Sequence, residues 1–272
     1  MTPGGLPVEL LERARAAQDP SFVPSATREA ATVALVRDAP GGLEVYLLRR
    51  VRGMAFAGGM HVFPGGSVDP ADATADIGWA GPTAADWAAA FGTSEPAARA
   101  LVCAAVRETF EESGVLLAGA SEQALLADVS TDEWEAERVA LETRQHSLSE
   151  LLRRRGLVLR SDLLRPLAHW ITPEVEPKRF DTKFFLARMP AGQVTRAVGT
   201  EADQRLWVRP AQTSELTMLP PTRAVLIDLA AHDGVDAALA APRVVSPVLP
   251  RFVVGDDEGV RLLLPGDDGY AD

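Results

Sequence analysis

The segment Arg107-Glu-Thr-Phe-Glu-Glu-Ser-Gly-Val115 constrains this chain most. It ends a run, Ala97 to Ser113, that has a proline in its first turn at Pro96 and a helix-stopping glycine at Gly114. At about 100° per residue, Glu108, Glu111 and Glu112 project within an arc of about 100°. Val102, Cys103, Val106 and Phe110 fall on the opposite side, where they can pack on a sheet. Ala104 and Ala105 flank the carboxylates one turn earlier and leave room for a ligand. A solvated acidic face is the ordinary explanation of such a cluster, but the physics opposes it here. Like charges at these spacings cost ~0.2–0.5 kcal/mol per pair, and they lie near the helix C-terminus, where the dipole disfavours anions. A divalent cation removes that cost. Mg²⁺ prefers hard oxygen ligands and is typically held by carboxylates, waters and substrate phosphates.

The chain has 272 residues, 47% of them apolar and 24% charged, which excludes disorder throughout. No window approaches the ~18 apolar residues of a membrane span, and the N-terminus lacks an apolar signal core. The single cysteine, Cys103, excludes an internal disulfide and a Cys-based metal site. A net charge of −11 has the wrong sign for a nucleic-acid groove or an anionic membrane surface. The cytoplasm is the expected location. Only two of 27 basic residues are lysines, Lys178 and Lys183, a bias suggesting a GC-rich bacterial genome.

Residues 1–27 carry four prolines and one short helical run, Val8 to Ala17, and read as a loosely attached arm. Residues 28–272 read as one elaborated domain. It opens on a hairpin of Ala31–Val36 and Leu43–Leu48 around Asp38-Ala-Pro-Gly-Gly42. The glycine-rich stretch Gly53–Gly66 closes on His61-Val-Phe-Pro-Gly-Gly66, where backbone can approach a ligand closely. Asp69–Glu95 reads as a surface insertion with a short helix at Ala84–Phe91. A strand is expected at Val115–Ala118, and helices over Ser121–Gly156, including Asp132–His146 and Leu148–Arg155. Strands follow at Leu167–Ile171, Phe180–Arg188 and Arg205–Val208, then helices at Pro220–Ala231 and Val235–Ala241. A last hairpin, Arg251–Val254 with Val260–Leu264, turns at residues 255–259.

Taken together, Phe63-Pro-Gly-Gly66 and Arg107-Glu-x-x-Glu-Glu-x-Gly resemble the two halves of the Nudix box, Gly-x5-Glu-x7-Arg-Glu-U-x-Glu-Glu-x-Gly-U, where U is bulky and aliphatic. Gly66 and Arg107 are 41 positions apart where the box needs 14, and Asp69–Glu95 supplies the excess of 27. Arg99 stands where the middle Glu should be, and Glu95 is the nearest acidic substitute to pair with Arg107. Thr109 replaces a bulky aliphatic residue. The interrupted box resembles the peroxisomal coenzyme A diphosphatase-like Nudix proteins, a likeness carried also by Ala57–Asp69, Trp170-Ile-Thr-Pro173 and Arg179-Phe-Asp-Thr-Lys-Phe-Phe185. The terminal Gly269-Tyr-Ala-Asp272 is no peroxisomal tripeptide.

The resemblance implies an α/β/α sandwich around a mixed β-sheet with helical insertions, and hydrolysis of a nucleoside diphosphate linked to another group. Coenzyme A or its thioesters are favoured, with NADH, ADP-ribose or another nucleotide as alternatives. It implies Mg²⁺, with Mn²⁺ able to substitute, on Glu111 and Glu112, and Glu108 as a further ligand or water-orienting base. Gly65 or Gly66 could add a backbone carbonyl. Arg107 is expected to orient the glutamates. Glu174, Glu176 and Glu201 are candidate general bases, Glu201 the favoured one. Lys178, Arg179 and Lys183 could bind a phosphate, against a solvated loop or strand edge. His61 reads as structural, and Trp170, Phe184 and Phe185 as core residues that could alternatively stack on an adenine. Two rival classes are a Nudix-like binding domain without turnover, which the intact carboxylates disfavour, and an interaction protein using the 121–156 insert as a lid or homodimer contact.

Overall fold

The computed structural model describes residues 8–54, 57–73, 76–196, 199, 201–255 and 259–270. In chain order these form α1 (Val8–Ala16), β1 (Thr27–Ala39), β2 (Gly42–Arg50), β3 (His61–Val62), β4 (Gly65–Ser67), α2 (Pro70–Ala73), β5 (Gly78–Ala80), α3 (Ala84–Phe91) and α4 (Glu95–Ser113). There follow β6 (Ala118–Ser121), β7 (Ala124–Leu125), α5 (Asp132–Glu142), α6 (Leu148–Arg155), β8 (Val158–Arg160), β9 (Leu164–Ile171), β10 (Arg179–Arg188) and β11 (Ala202–Val208). The chain closes with α7 (Pro220–Ala230), α8 (Val235–Ala240), β12 (Pro247–Val248), β13 (Arg251–Val254) and β14 (Val260–Leu263).

The β1–β2 hairpin pairs Val36 with Val45, and its turn uses Gly41 and Gly42 at φ 97° and 122°, where a side chain would be strained. The main sheet runs β11-β2-β1-β10-β9-β12, and β3 and β4 pair with β2 and β1. It is mixed: β1 runs parallel to β10 and antiparallel to β2. Alternation along β1 sends Val33 and Leu35 to one face, where they pack with Leu101, Val102 and Phe110 of α4. Ala34 and Val36 go to the other, with Val225 and Leu229 of α7 and Val235 of α8. Helices therefore cover both faces, giving the expected α/β/α sandwich. No described helix is long and apolar enough to cross a membrane.

Four expectations need correction or limits. Asp69–Glu95 is not only a surface excursion: α3 is amphipathic, and Trp87 and Phe91 sit one turn apart, 2% and 4% exposed, with their rings against Phe185 in the core. Val115–Leu117 is buried but forms no strand, because the Gln193 side chain takes the backbone N–H and C=O of Leu116. The ladder starts at Ala118, in a second sheet of order β5-β8-β6-β7. The 121–156 insert is helical only from Asp132, and α5 stops at Glu142. Residues 1–7 of the arm and 256–258 of the last turn lie outside the described residues. From Val8 onward the arm is attached: Ala14 is fully buried, and Arg13 pairs with Glu176 at 2.9 Å.

Candidate active site

Helix α4 is delimited as its sequence predicts. The Ser94 side chain accepts from the Ala97 N–H, and Gly114 takes φ 74° at the other end. Thr109, where a bulky aliphatic residue was expected, is fully buried and donates its hydroxyl to the Ala105 carbonyl at 2.7 Å, so no polar atom is stranded there.

The two glycines of Pro-Gly-Gly open β4, paired to the first half of β1 with Gly65 opposite Thr32 and Gly66 opposite Ala31. The Gly65 N–H donates to the Glu112 carboxylate at 2.8 Å, joining the two halves of the motif across 47 residues. Neither glycine has room for a side chain unless a neighbour moves. A Cβ on Gly65 would meet the Ala31 carbonyl oxygen at 2.5 Å, and one on Gly66 would collide with the Glu108 carboxylate.

Arg107 lies among the acids and is 12% exposed. It reaches Glu108 at 2.7 Å, Glu111 at 3.3 Å, the Ser67 carbonyl at 3.0 Å and Asp72 at 3.0 Å. Asp72, 3% exposed, therefore supplies the carboxylate missing from position 99. Glu95, the nearest acidic substitute in the sequence, does not take that place: it is an exposed residue at the opposite end of α4 from Arg107. The missed signal was Asp69-Pro-Ala-Asp72, in which the Asp72 carboxylate accepts the Asp69 N–H at 2.9 Å and starts α2.

Burial and crowding dominate the electrostatics. Glu111 is pushed up to about 7, first by burial and then by Glu108, with Arg107 opposing. Glu112 is pushed up to about 8, again by burial and then Glu108, with the Gly65 N–H and Arg50 opposing. Glu108 is also raised: burial outweighs its bond to Arg107. Arg107 itself is held charged, because Glu108, Asp72 and Glu111 together outweigh the burial that works against it. Groups this perturbed, lining a cavity, are the signature of a functional site. Among the described residues no three His, Cys, Asp or Glu side chains form a ready-made metal cage. The donor set is nonetheless all-oxygen and under mutual repulsion, which suits a hard divalent cation that keeps waters and phosphate oxygens as its other ligands.

The carboxylates line a cavity of about 910 Å³. Glu201 lines it too, more than half exposed and paired with Arg50 at 3.0 Å, and its charge is felt at both Glu108 and Glu112. Glu176 also lines it but is tied to Arg13, and Glu174 is an exposed residue away from the lining. The three expected cations separate. Lys178 lines the cavity, its ammonium 5.4 Å from the Phe180 ring centre. Arg179 and Lys183 do not line it. Arg179 donates to the Ser25 and Thr172 carbonyls, and Lys183 is buried against Glu29 and Asp181 at 2.9 and 2.7 Å. Parallel β1–β10 pairing sets Glu29 beside Asp181, a cross-strand partnership that local sequence does not reveal. Trp170 and Phe184 line the cavity, whereas Phe185 is core. His61 does not line the cavity, and its Nδ1 lies 3.2 Å from the Thr217 carbonyl oxygen.

Residues 80–220 match the model of the NUDT19 Nudix domain. The acyl-coenzyme A diphosphatase NUDT19 of Xenopus laevis is 24% identical over 274 residues, covering 84% of this chain and 71% of that protein. Its counterpart in Gallus gallus is 26% identical over 308 residues, covering 89% and 79%. The crystal structure of a NUDIX hydrolase from Alicyclobacillus acidocaldarius superposes with a TM-score of 0.69 at 32% identity, covering 81% of this chain and 98% of that one. The motif halves that meet at Gly65 and Glu112, the sandwich around them and these likenesses agree, and the chain belongs to the Nudix hydrolase family.

Proposed function

We propose that this Nudix hydrolase cleaves the pyrophosphate of a nucleoside diphosphate linked to another group, with coenzyme A or its acyl thioesters as substrate. The observation that carries the reading is the bond from the Gly65 N–H to Glu112 beside buried Glu108 and Glu111. Glu108, Glu111 and Glu112 would hold Mg²⁺, or Mn²⁺ in its stead. Bound there, the cation neutralises phosphate oxygens and acidifies a water.

The remaining work falls to the chain's own groups. Gly65 holds the Glu112 carboxylate in one orientation, and Arg107, clamped by Asp72, does the same for Glu108 and Glu111. Glu201 is our candidate base, taking the proton of the attacking water at its carboxylate; it is the one of three candidates that lines the cavity without being tied to α1. Lys178 is available to phosphate oxygens, and Trp170 and Phe184 offer ring surface to a base. The coenzyme A assignment rests on the likeness to the NUDT19 diphosphatases. Cytoplasmic location remains part of the same reading.

The test is phosphate release, through a coupling phosphatase, from coenzyme A, acyl-coenzyme A, NADH and ADP-ribose, in Mg²⁺ and in EDTA. Turnover in Mg²⁺, absent in EDTA and highest for coenzyme A or its thioesters, is expected. A preference for NADH or ADP-ribose would remove the coenzyme A assignment, and turnover unaffected by EDTA would remove the metal.

A further inference from the structure

Among the described residues, four helices end on a left-handed residue, and in three of them it is glycine. Gly92 ends α3, Gly114 ends α4 and Gly156 ends α6, at φ 63°, 74° and 63°. After α5 the residue is Arg144, at φ 57°. The backbone there is an ordinary helix stop: the Arg144 N–H donates to Leu141 and the Gln145 N–H to Ala140, both at 2.8 Å. Glycine is the residue such a stop favours, so an arginine there costs folding stability. Little within the fold offsets that cost. The Arg144 side chain is 84% exposed, and its ion pair with Asp69 is long, at 3.6 Å.

Arg144 nevertheless lines the cavity that holds the carboxylates, and the residue its guanidinium pairs with, Asp69, lines the same cavity. Its helix is anchored to theirs. Arg138 of α5 donates to the Glu111 carbonyl at 3.0 Å and, through the same nitrogen, to Glu142 at 2.8 Å, two residues before Arg144. The end of α5 is therefore held against the acidic end of α4 while Arg144 extends from it. A planar cation at the rim of an acidic, metal-suited cavity is matched to phosphate oxygens by geometry and charge.

We propose that Arg144 is a phosphate-binding residue of this site, which makes the α5–α6 turn part of the substrate pocket. The proposal rests on the diphosphatase reading above for the identity of the substrate. The phosphate is either part of the scissile diphosphate or the 3′-phosphomonoester of coenzyme A, and substrates can tell them apart.

Arg144→Gly is the informative variant, because a structural role and a binding role predict opposite outcomes. We expect its Tm to equal or exceed that of the wild type, while kcat/KM on coenzyme A falls about 10-fold or more. Arg144→Lys should recover part of that loss. Loss on coenzyme A but not on dephospho-coenzyme A or ADP-ribose identifies the 3′-phosphate; equal loss on all three identifies the diphosphate. Calorimetric titration with adenosine 3′,5′-bisphosphate in Mg²⁺ reads the same contact without turnover, and the glycine variant should bind about 10-fold more weakly. Wild-type kcat/KM and affinity in Arg144→Gly, or a loss that comes with a lowered Tm and is not recovered by lysine, would overturn the proposal. A wild type that binds the bisphosphate but hydrolyses none of the three substrates would overturn the diphosphatase reading, with the calorimetric comparison still deciding Arg144.

Discussion

Asp72 and Arg107 form a buried ion pair of 3.0 Å between a four-residue helix in the motif's insertion and the carboxylate helix α4. The pair replaces an acid that should stand eight residues, about two turns, earlier on the same helix as its partner. The insertion is thereby tied to the orientation of the α4 carboxylates, because Arg107 also bonds Glu108 and Glu111. Breaking a buried pair costs ~3–5 kcal/mol, and the two carboxylates and one carbonyl that Arg107 keeps reduce that to about 2 kcal/mol. Asp72→Ala should lower stability by that amount in urea and kcat/KM by about 10-fold, whereas Glu95→Ala should change neither. A neutral Asp72→Ala, or an equal loss in Glu95→Ala, would reverse the assignment.

Glu111→Gln and Glu112→Gln keep side-chain volume and remove a charge. Each should cut turnover by at least ~10², most visibly at limiting Mg²⁺. In EDTA each variant should melt at or above the wild-type temperature, since each relieves repulsion within a buried acidic cluster. Wild-type rates at limiting Mg²⁺ would remove these residues from the cation site.

The acidic helix and the glycine pair were legible in the sequence because their constraints are local. Helical spacing sets the arc of Glu108, Glu111 and Glu112, and Gly114 stops the helix that carries them. The sandwich around a mixed sheet was supplied by the family likeness and not by spacing, and the strand order came only with the structure. What could not be read depends on partners distant along the chain. Arg179 and Lys183 look like free cations beside Lys178 until β10 pairs with β1 and brings Glu29 to Lys183. Asp72 looks like a loop acid until α2 packs on α4. Val115–Leu117 looks like a strand until Gln193 takes its hydrogen bonds.

The raised carboxylates predict the direction of pH dependence. A glutamate that titrates near 7 or 8 when folded and near ~4.3 when unfolded binds more protons in the native state throughout the interval between. Stability in EDTA should therefore fall as pH rises from about 5 to about 8 and level off above. Glu112→Gln should flatten the fall, and Mg²⁺ should oppose it. Thermal melts from pH 5 to 9 measure this, and a wild-type Tm that climbs across the window in EDTA would contradict the burial argument.

Arg179→Ala and Lys183→Met should act on the fold and leave substrate choice unchanged. Arg179 fastens the Ser25 and Thr172 carbonyls, and Lys183 neutralises Asp181 and Glu29. Each loss should cost ~1–3 kcal/mol through stranded polar groups. The ratio of kcat/KM for coenzyme A over dephospho-coenzyme A should stay at its wild-type value, and a collapse of that ratio in either variant would restore these cations to the binding site.

The two glycines of β4 should fail differently when replaced by alanine. At Gly65 the new methyl meets backbone, the Ala31 carbonyl oxygen at 2.5 Å and the Thr32 Cα at 2.7 Å, and neither can move without opening the β1–β4 ladder. At Gly66 it meets the Glu108 carboxylate, the end of a side chain, which can swing away. Moving it breaks the 2.7 Å bond to Arg107 and takes an oxygen pair out of the acidic cluster. Gly65→Ala should therefore lose stability first, ~1–3 kcal/mol on the scale of overpacked sites. Gly66→Ala should stay near wild-type stability while kcat falls about 10-fold or more and the Mg²⁺ concentration for half-maximal rate rises. Paired melts and metal titrations on the two variants decide it, and identical profiles would mean that Glu108 is not confined by Gly66 in solution.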